Sequence, residues 1–149
     1  MDISYVLDII GYYGPYIQAV IVFFVIHTNT NIVFIYTLGW LFSNLFNNLL
    51  KETIKQDRPP NQVHTDIENI CHNYGMPSYH MQCSAFSIAF LFCITMSYRL
   101  LAATFILGVL SFKQRHKYRR HTFQQLIVGT IIGAFLGWIT YLIIKKLKV

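Results

Sequence analysis

Three short stretches of the chain carry residues able to handle a phosphate. They are Lys51-x6-Arg58-Pro59, Pro77-Ser78-Tyr79-His80 and Arg115-x5-His121-x3-Gln125. Between them they bring three cations, two imidazoles and a hydroxyl. A phosphoryl group in transfer spreads negative charge over its equatorial oxygens, and fixed cations stabilise that charge. Lys51 supplies a point charge, whereas Arg58 and Arg115 add a bidentate fork. Of two histidines, one can attack phosphorus and the other can protonate the leaving oxygen. Pro77-Ser78 favours a helix start, and a helix N-terminus turns unsatisfied N–H groups towards an anion.

Each residue alone has a plain structural reading. Lys or Arg at the end of a span is usually an interfacial anchor, and Arg58-Pro59 is an ordinary loop dipeptide. Pro77-Ser78 is more often only a helix start. A single histidine is commonly just hydrogen-bonded, and Gln125 fits a polar contact between helices. The combination is what counts. Eight specified residues at about 5% usage each coincide with a probability of roughly 10⁻¹¹, and freedom of placement returns about 10⁶.

The elements that must position these residues read as membrane helices. The chain has 149 residues, 54% hydrophobic and 12% charged, against about 25% charged in soluble domains. No Asp, Glu, Lys or Arg occurs from Ile9 to Leu50 or from Thr122 to Ile144, and a span needs about 20 apolar residues. The net charge of +6 suits an anionic membrane ligand better than nucleic acid, because most of the chain belongs in lipid. The pattern predicts an all-α bundle of about five transmembrane helices, forming a single membrane-embedded domain over residues 1–149.

The first helix is expected from Tyr5 or Tyr12 to Ile26, with Gly14-Pro15 breaking or starting it. The second runs from Ile32 to about Lys55, the third from near Pro77 to near Ser97, and the fourth from Leu100 to about Phe112. Tyr98-Arg99 reads as a tight turn and Lys113 to Arg120 as a basic loop. The fifth helix runs from about His121 to Ile144. In the second, Asn44, Asn48 and Lys51 share a face with Asn47 beside them, and such polar residues turn to a bundle interior. Successive crossings return the end of helix two, the start of three, the end of four and the start of five to one membrane side. His121 and Gln125, at i and i+4, would let Gln125 accept a hydrogen bond from one ring nitrogen and leave the other free.

These three stretches resemble the signature of the type 2 phosphatidic acid phosphatase superfamily: K-x6-R-P, P-S-x-H and S-R-x5-H-x3-D. Gln114 stands where that pattern has Ser, and Gln125 where it usually has Asp. The dolichyldiphosphatase branch also has Gln there. It is similar in Tyr74-Gly75-Met76-Pro77-Ser78, in His80 and Gln82, in His121-Thr122 and in Asn47. The resemblance covers about residues 40 to 135. It implies His121 as a nucleophile forming a phosphohistidine and His80 as general acid. Lys51, Arg58, Arg115, Ser78 and the backbone N–H of Tyr79 would hold the phosphate, with Gln125 in the orienting position. It further implies hydrolysis of a polyprenyl (dolichyl) diphosphate without metal or other cofactor, at a lumenal site of the endoplasmic reticulum membrane.

Two other readings compete: a phosphatase of phosphatidate or another lipid monophosphate, and a catalytically degenerate membrane protein of the same fold. His64, Cys71, His72 and His116 lack zinc spacing and read as loop residues. Cys83 and Cys93 read as small hydrophobes. The start Met1-Asp2 has no basic n-region or cleavage site, so no removable signal peptide is expected. The distribution of Lys and Arg does not decide orientation, because Lys51, Arg58 and Arg115 have a chemical reason to be where they are. Lys145-Lys146 loosely fits a retrieval signal.

Overall fold

The computed structural model describes residues 2–63 and 74–148; His64, Cys71 and His72 lie outside them. Five helices follow in order: α1 Ile3–Ile26, α2 Thr30–Ile54, α3 Tyr79–Thr95, α4 Tyr98–Lys117 and α5 Phe123–Leu147. Of these, α1, α2 and α5 are long and apolar enough to cross a membrane. The bundle is turned inside out relative to a soluble protein. Phe24 and Leu45 are 68% and 69% exposed, while Gln18 and Asn47 are 0% exposed. Lipid accepts exposed apolar side chains, and the interior collects the polar groups that lipid would not solvate.

At the centre lies α3, packed against each of the other four helices and most extensively against α5. The close α3–α5 approach comes from a small-residue stripe. A Cβ added at Gly129, Gly133 or Gly137 would lie 2.5 Å or less from the carbonyl oxygens of Ser78, Gln82 and Phe86 respectively. Three glycines at four-residue spacing thus meet three α3 carbonyls at the same spacing, and backbones approach as only small residues allow. This seam ends at Ser78, so it also sets the depth of the α3 N-terminus. At the opposite end of the bundle, Val22, Ile26, Tyr36, Phe86, Phe90, Leu91 and Ile144 form the apolar core.

Pro15 neither starts nor breaks α1. It lacks an N–H, which deprives the Gly11 carbonyl of its helical donor, and the Ser111 hydroxyl of α4 donates to that carbonyl at 2.6 Å. The helix therefore runs through the proline. The turn between α3 and α4 falls at Met96, in the left-handed region with φ 50°, and Tyr98-Arg99 already belong to α4, which Ser97 caps. The expected basic loop is largely helical, since α4 continues to Lys117. Nothing from Lys113 to Lys117 breaks a helix, and Lys, Gln and Arg are good helix formers. Exposed His116 sits in this last turn rather than in a loop.

On α2 the buried polar and charged positions are Ser43, Asn47 and Lys51, one register away from the expected Asn44 and Asn48, which are half-buried. Asn47 donates to Gln82 Oε1 at 2.7 Å, and Gln82 Nε2 donates to the Ser43 carbonyl and hydroxyl at 2.7 and 3.0 Å. This bridge locks α2 to α3 one turn below the lysine.

Candidate active site

The ends of α2 and α4, the starts of α3 and α5 and the segments 56–58 and 74–78 meet at one end of the bundle. Lys51, in the last turn of α2, is 1% exposed and donates to the Tyr74 carbonyl at 3.2 Å. Arg58 donates through Nη1 to the Arg120 carbonyl at 2.9 Å and reaches His121 Nε2 at 3.4 Å. Arg115, in the last turn of α4, places Nη2 2.5 Å from His80 Nε2. All three cations act electrostatically on the His121 ring.

His121 is not on α5. Thr122 is the N-cap and Phe123 the first helical residue, so the imidazole stands just ahead of the helix. Its Nδ1 lies 2.9 Å from the Gly75 carbonyl oxygen. A carbonyl only accepts, so Nδ1 carries the proton and Nε2 keeps its lone pair. Nε2 is the nitrogen that faces Arg58. Burial first, then Arg58, Lys51 and Arg115, push this imidazole well below its ordinary value of 6.5, against the Gly75 bond, which favours the protonated form. The ring is neutral at pH 7, with its lone pair turned towards the cations.

Gln125 does not make the expected bond to His121. As the third helical residue it completes a capping box with Thr122: Oε1 accepts from Thr122 N–H at 3.1 Å, and Thr122 Oγ1 accepts from Gln125 N–H at 3.2 Å. The box forms because Thr and Gln stand in the spacing that satisfies two orphan donors reciprocally. The remaining amide hydrogens of Gln125 go to Gln56 Oε1 at 3.0 Å and the Asp57 carbonyl at 2.8 Å. Gly75 in turn donates to the Gln56 carbonyl at 2.8 Å. A Cβ at Gly75 would come within 2.5 Å of Gln125 Oε1. Gln125 therefore bears on His121 indirectly, by fixing the segment that presents the Gly75 carbonyl.

Ser78 is the N-cap of α3 but makes no side-chain cap bond. Its N–H is taken by the Gln125 carbonyl at 3.0 Å. Among the described residues its buried hydroxyl has no hydrogen-bond partner, which is costly unless a ligand supplies one. First-turn N–H groups of a helix have no intrahelical acceptor, so the α3 terminus adds donors beside that hydroxyl. The Tyr79 ring stands edge-on to His80 at 6.0 Å. The two histidines are close enough to interact electrostatically.

All eight expected site residues therefore lie at this end of the bundle. The roles of Gly75, Gln56 and Asp57 were not read from the sequence, nor was that of α1, whose Tyr12 and Tyr16 rings lie 5.4 and 6.3 Å from His80. A readable signal did exist for the seam beneath the site, in Gly129-x3-Gly133-x3-Gly137. Among the described residues, no three His, Cys, Asp or Glu side chains group as metal ligands.

Residues 32–148 match the PAP2 superfamily. The chain belongs to the PAP2 superfamily. Dolichyldiphosphatase 1 of Dictyostelium discoideum is 31% identical over 120 residues, covering 72% of this chain and 50% of the relative. Dolichyldiphosphatase of Saccharomyces cerevisiae is 27% identical over 125 residues, 76% of this chain and 52% of the relative. The chain thus spans about half the length of these curated relatives. In fold, this PAP2 protein is similar to a crystal structure described as the first transmembrane PAP2 type phosphatidylglycerolphosphate phosphatase from Bacillus subtilis. The TM-score is 0.75 at 18% identity, covering 96% of this chain and 77% of that one. The five-helix membrane bundle is shared; the residues of α1 lie outside the superfamily match.

Proposed function

We propose that this PAP2 protein is a lipid phosphatase that cleaves a polyprenyl diphosphate to the monophosphate through a phosphohistidine on His121, needing no metal or other cofactor. The observation that carries the reading is the neutral His121 ring, with Nδ1 held by Gly75 and the Nε2 lone pair turned towards Arg58. Nε2 attacks the terminal phosphorus, and the bond from phosphorus to the bridging oxygen breaks. His80 passes a proton, taken up from the acidic phosphate, to that oxygen as the prenyl monophosphate leaves. Water then attacks the phosphohistidine, His80 takes the water proton, and inorganic phosphate departs. Lys51, Arg58, Arg115, the Ser78 hydroxyl and the N–H groups at the start of α3, Tyr79 included, hold the phosphate oxygens. Residues 1–149 act as one membrane-embedded unit. The likeness to dolichyldiphosphatases supports the diphosphate as substrate, and the location that goes with the proposal is the endoplasmic reticulum membrane.

The test is a single-turnover assay on purified protein with dolichyl diphosphate, in chelator, with and without vanadate. Phosphate release that persists in chelator, is blocked by vanadate and traps labelled phosphate on His121 supports the reading. Undiminished release by His121→Ala overturns it. A second reading, a lipid monophosphate as substrate, is favoured by the fold likeness to a phosphatidylglycerolphosphate phosphatase. Dolichyl diphosphate and phosphatidate assayed side by side decide between the two.

A further inference from the structure

We infer that Tyr12 of α1 is a positioning residue for proton delivery, its carbonyl fixing the His80 ring and its own ring seating Arg115 beside His80 Nε2. The inference rests on the reading of His80 as the general acid. Arg115 can only donate, so the 2.5 Å approach of Nη2 makes His80 Nε2 the acceptor. The proton of the neutral ring is then on Nδ1, and the ring's backbone hydrogen bond is to Tyr12. The same residue lies with its ring 5.4 Å from the imidazole, and Arg115 Cζ stands 5.1 Å over that ring. A tyrosine face attracts a guanidinium, most strongly where water is scarce. Two groups of the site therefore take their orientation from one residue of a helix that lies outside the superfamily match.

The packing of α1 explains why Tyr12 sits there. A Cβ at Gly11 would lie 2.5 Å from the Leu110 carbonyl oxygen, and one at Gly14 would collide with Ser111 Oγ, so the two glycines let α1 close on α4. Ser111 and Arg115 are one turn apart on α4. Ser111 bonds the Gly11 carbonyl, and one turn later Arg115 covers the adjacent Tyr12 ring. Tyr16, one turn along α1, and Tyr79 stand around the imidazole at 6.3 and 6.0 Å. A phosphate entering the site competes for Arg115. When the guanidinium moves to the phosphate, Nε2 is uncovered. It takes a proton from the acidic phosphate of the substrate and passes it to the leaving oxygen as the phosphorus–oxygen bond breaks.

The experiment uses the full chain in nanodiscs with two substrates that differ in leaving group, p-nitrophenyl phosphate and farnesyl phosphate. Nitrophenolate leaves without help, whereas the prenyl alcohol needs the proton. Tyr12→Ala is expected to lower kcat on farnesyl phosphate about 10- to 100-fold, as a misplaced group does, and on p-nitrophenyl phosphate by less than about 3-fold. Tyr12→Phe, which keeps the ring, recovers most of the loss. Tyr12→Leu replaces the alanine variant if that one does not fold, with the same split expected. Equal losses on both substrates, or a Tyr12→Phe defect as deep as that of Tyr12→Ala, overturn the inference. If wild type releases phosphate from neither substrate nor from dolichyl diphosphate, the phosphatase reading fails; if it cleaves dolichyl diphosphate alone, Tyr12→Ala is read on that lipid, and an undiminished kcat overturns the inference. If wild type and His80→Asn show the leaving-group split but Tyr12→Ala does not, only the role of Tyr12 fails.

Discussion

The two histidines of the site are held in opposite ways. His121 is tied at one nitrogen by a backbone carbonyl, and its other nitrogen meets Arg58 only at 3.4 Å. His80 is engaged at both ends, by Tyr12 and by Arg115 at 2.5 Å. The surroundings differ as well. His121 sits among the segments 56–58 and 74–75 and a capping box, a shell built from amides and carbonyls. His80 sits among tyrosine rings of α1 and α3. The contrast teaches how one fold can hold two chemically identical groups in two roles. A nucleophile needs a lone pair that phosphorus can reach, and the Gly75 bond leaves one on Nε2, which Arg58 meets only at 3.4 Å. A proton donor is needed only once phosphate is bound, and a cation that prefers phosphate can mask it until then.

The largest expected effect breaks the contrast at its sharper side. His121→Ala removes the proposed nucleophile, so phosphate release should fall by about 10⁴-fold or more, read as inorganic phosphate from dolichyl diphosphate. His80→Asn should cost about 10²- to 10⁴-fold on a poor leaving group and far less on p-nitrophenyl phosphate. Equal losses would mean that the two rings do not divide the work as proposed.

Gly75→Ala comes next. Its Cβ would meet the Gln125 amide within 2.5 Å and shift the carbonyl that sets the His121 tautomer. About 10- to 100-fold in kcat and about 1–3 kcal/mol in stability should be lost, measured by turnover and by thermal unfolding in one detergent.

The pH dependence sharpens the comparison further. His121 is held below 6.5 by burial and by three cations, so the acid limb of kcat/KM should lie below pH 6.5. Arg58→Gln removes one of those cations, which raises the proton affinity of the ring, so the limb should move up towards 6.5 while maximal activity falls. The stability linkage has a matching sign. The folded imidazole resists a proton that the unfolded chain accepts near 6.5, so its contribution is present above that pH and is lost as pH falls from there towards the depressed value. An unmoved limb in Arg58→Gln would show that Arg58 does not act on the ring.

Asn47→Ala should have the smallest effect. It removes a 2.7 Å bond to Gln82, worth about 1 kcal/mol, and should lower the unfolding temperature with little change in kcat. A large kcat loss would extend the site one turn down α2.

How much of this was legible in the sequence depends on which atoms carry the work. Uncharged stretches announce spans because lipid rejects charge, and side chains such as Lys51, Arg58, His80, Arg115 and His121 point by type and spacing to the phosphate chemistry proposed for them. Crossing parity alone then brought them to one side. The extent of α4 was misread because a run of Lys, Arg and His looks like a loop to a hydropathy argument, while its helix propensity is high. The bond partner of His121 was misread because α5 begins after Thr122, which puts His121 off the helix and breaks the i, i+4 relation to Gln125. The sequence by itself therefore determined the spans, the cationic character of the site and the identity of its side chains, since these follow from residue type. Only the tertiary structure decided which nitrogen of each histidine is covered and by what. The acceptors are the backbone carbonyls of Gly75 and Tyr12, groups that every residue carries, and packing alone selects which of them meets a ring.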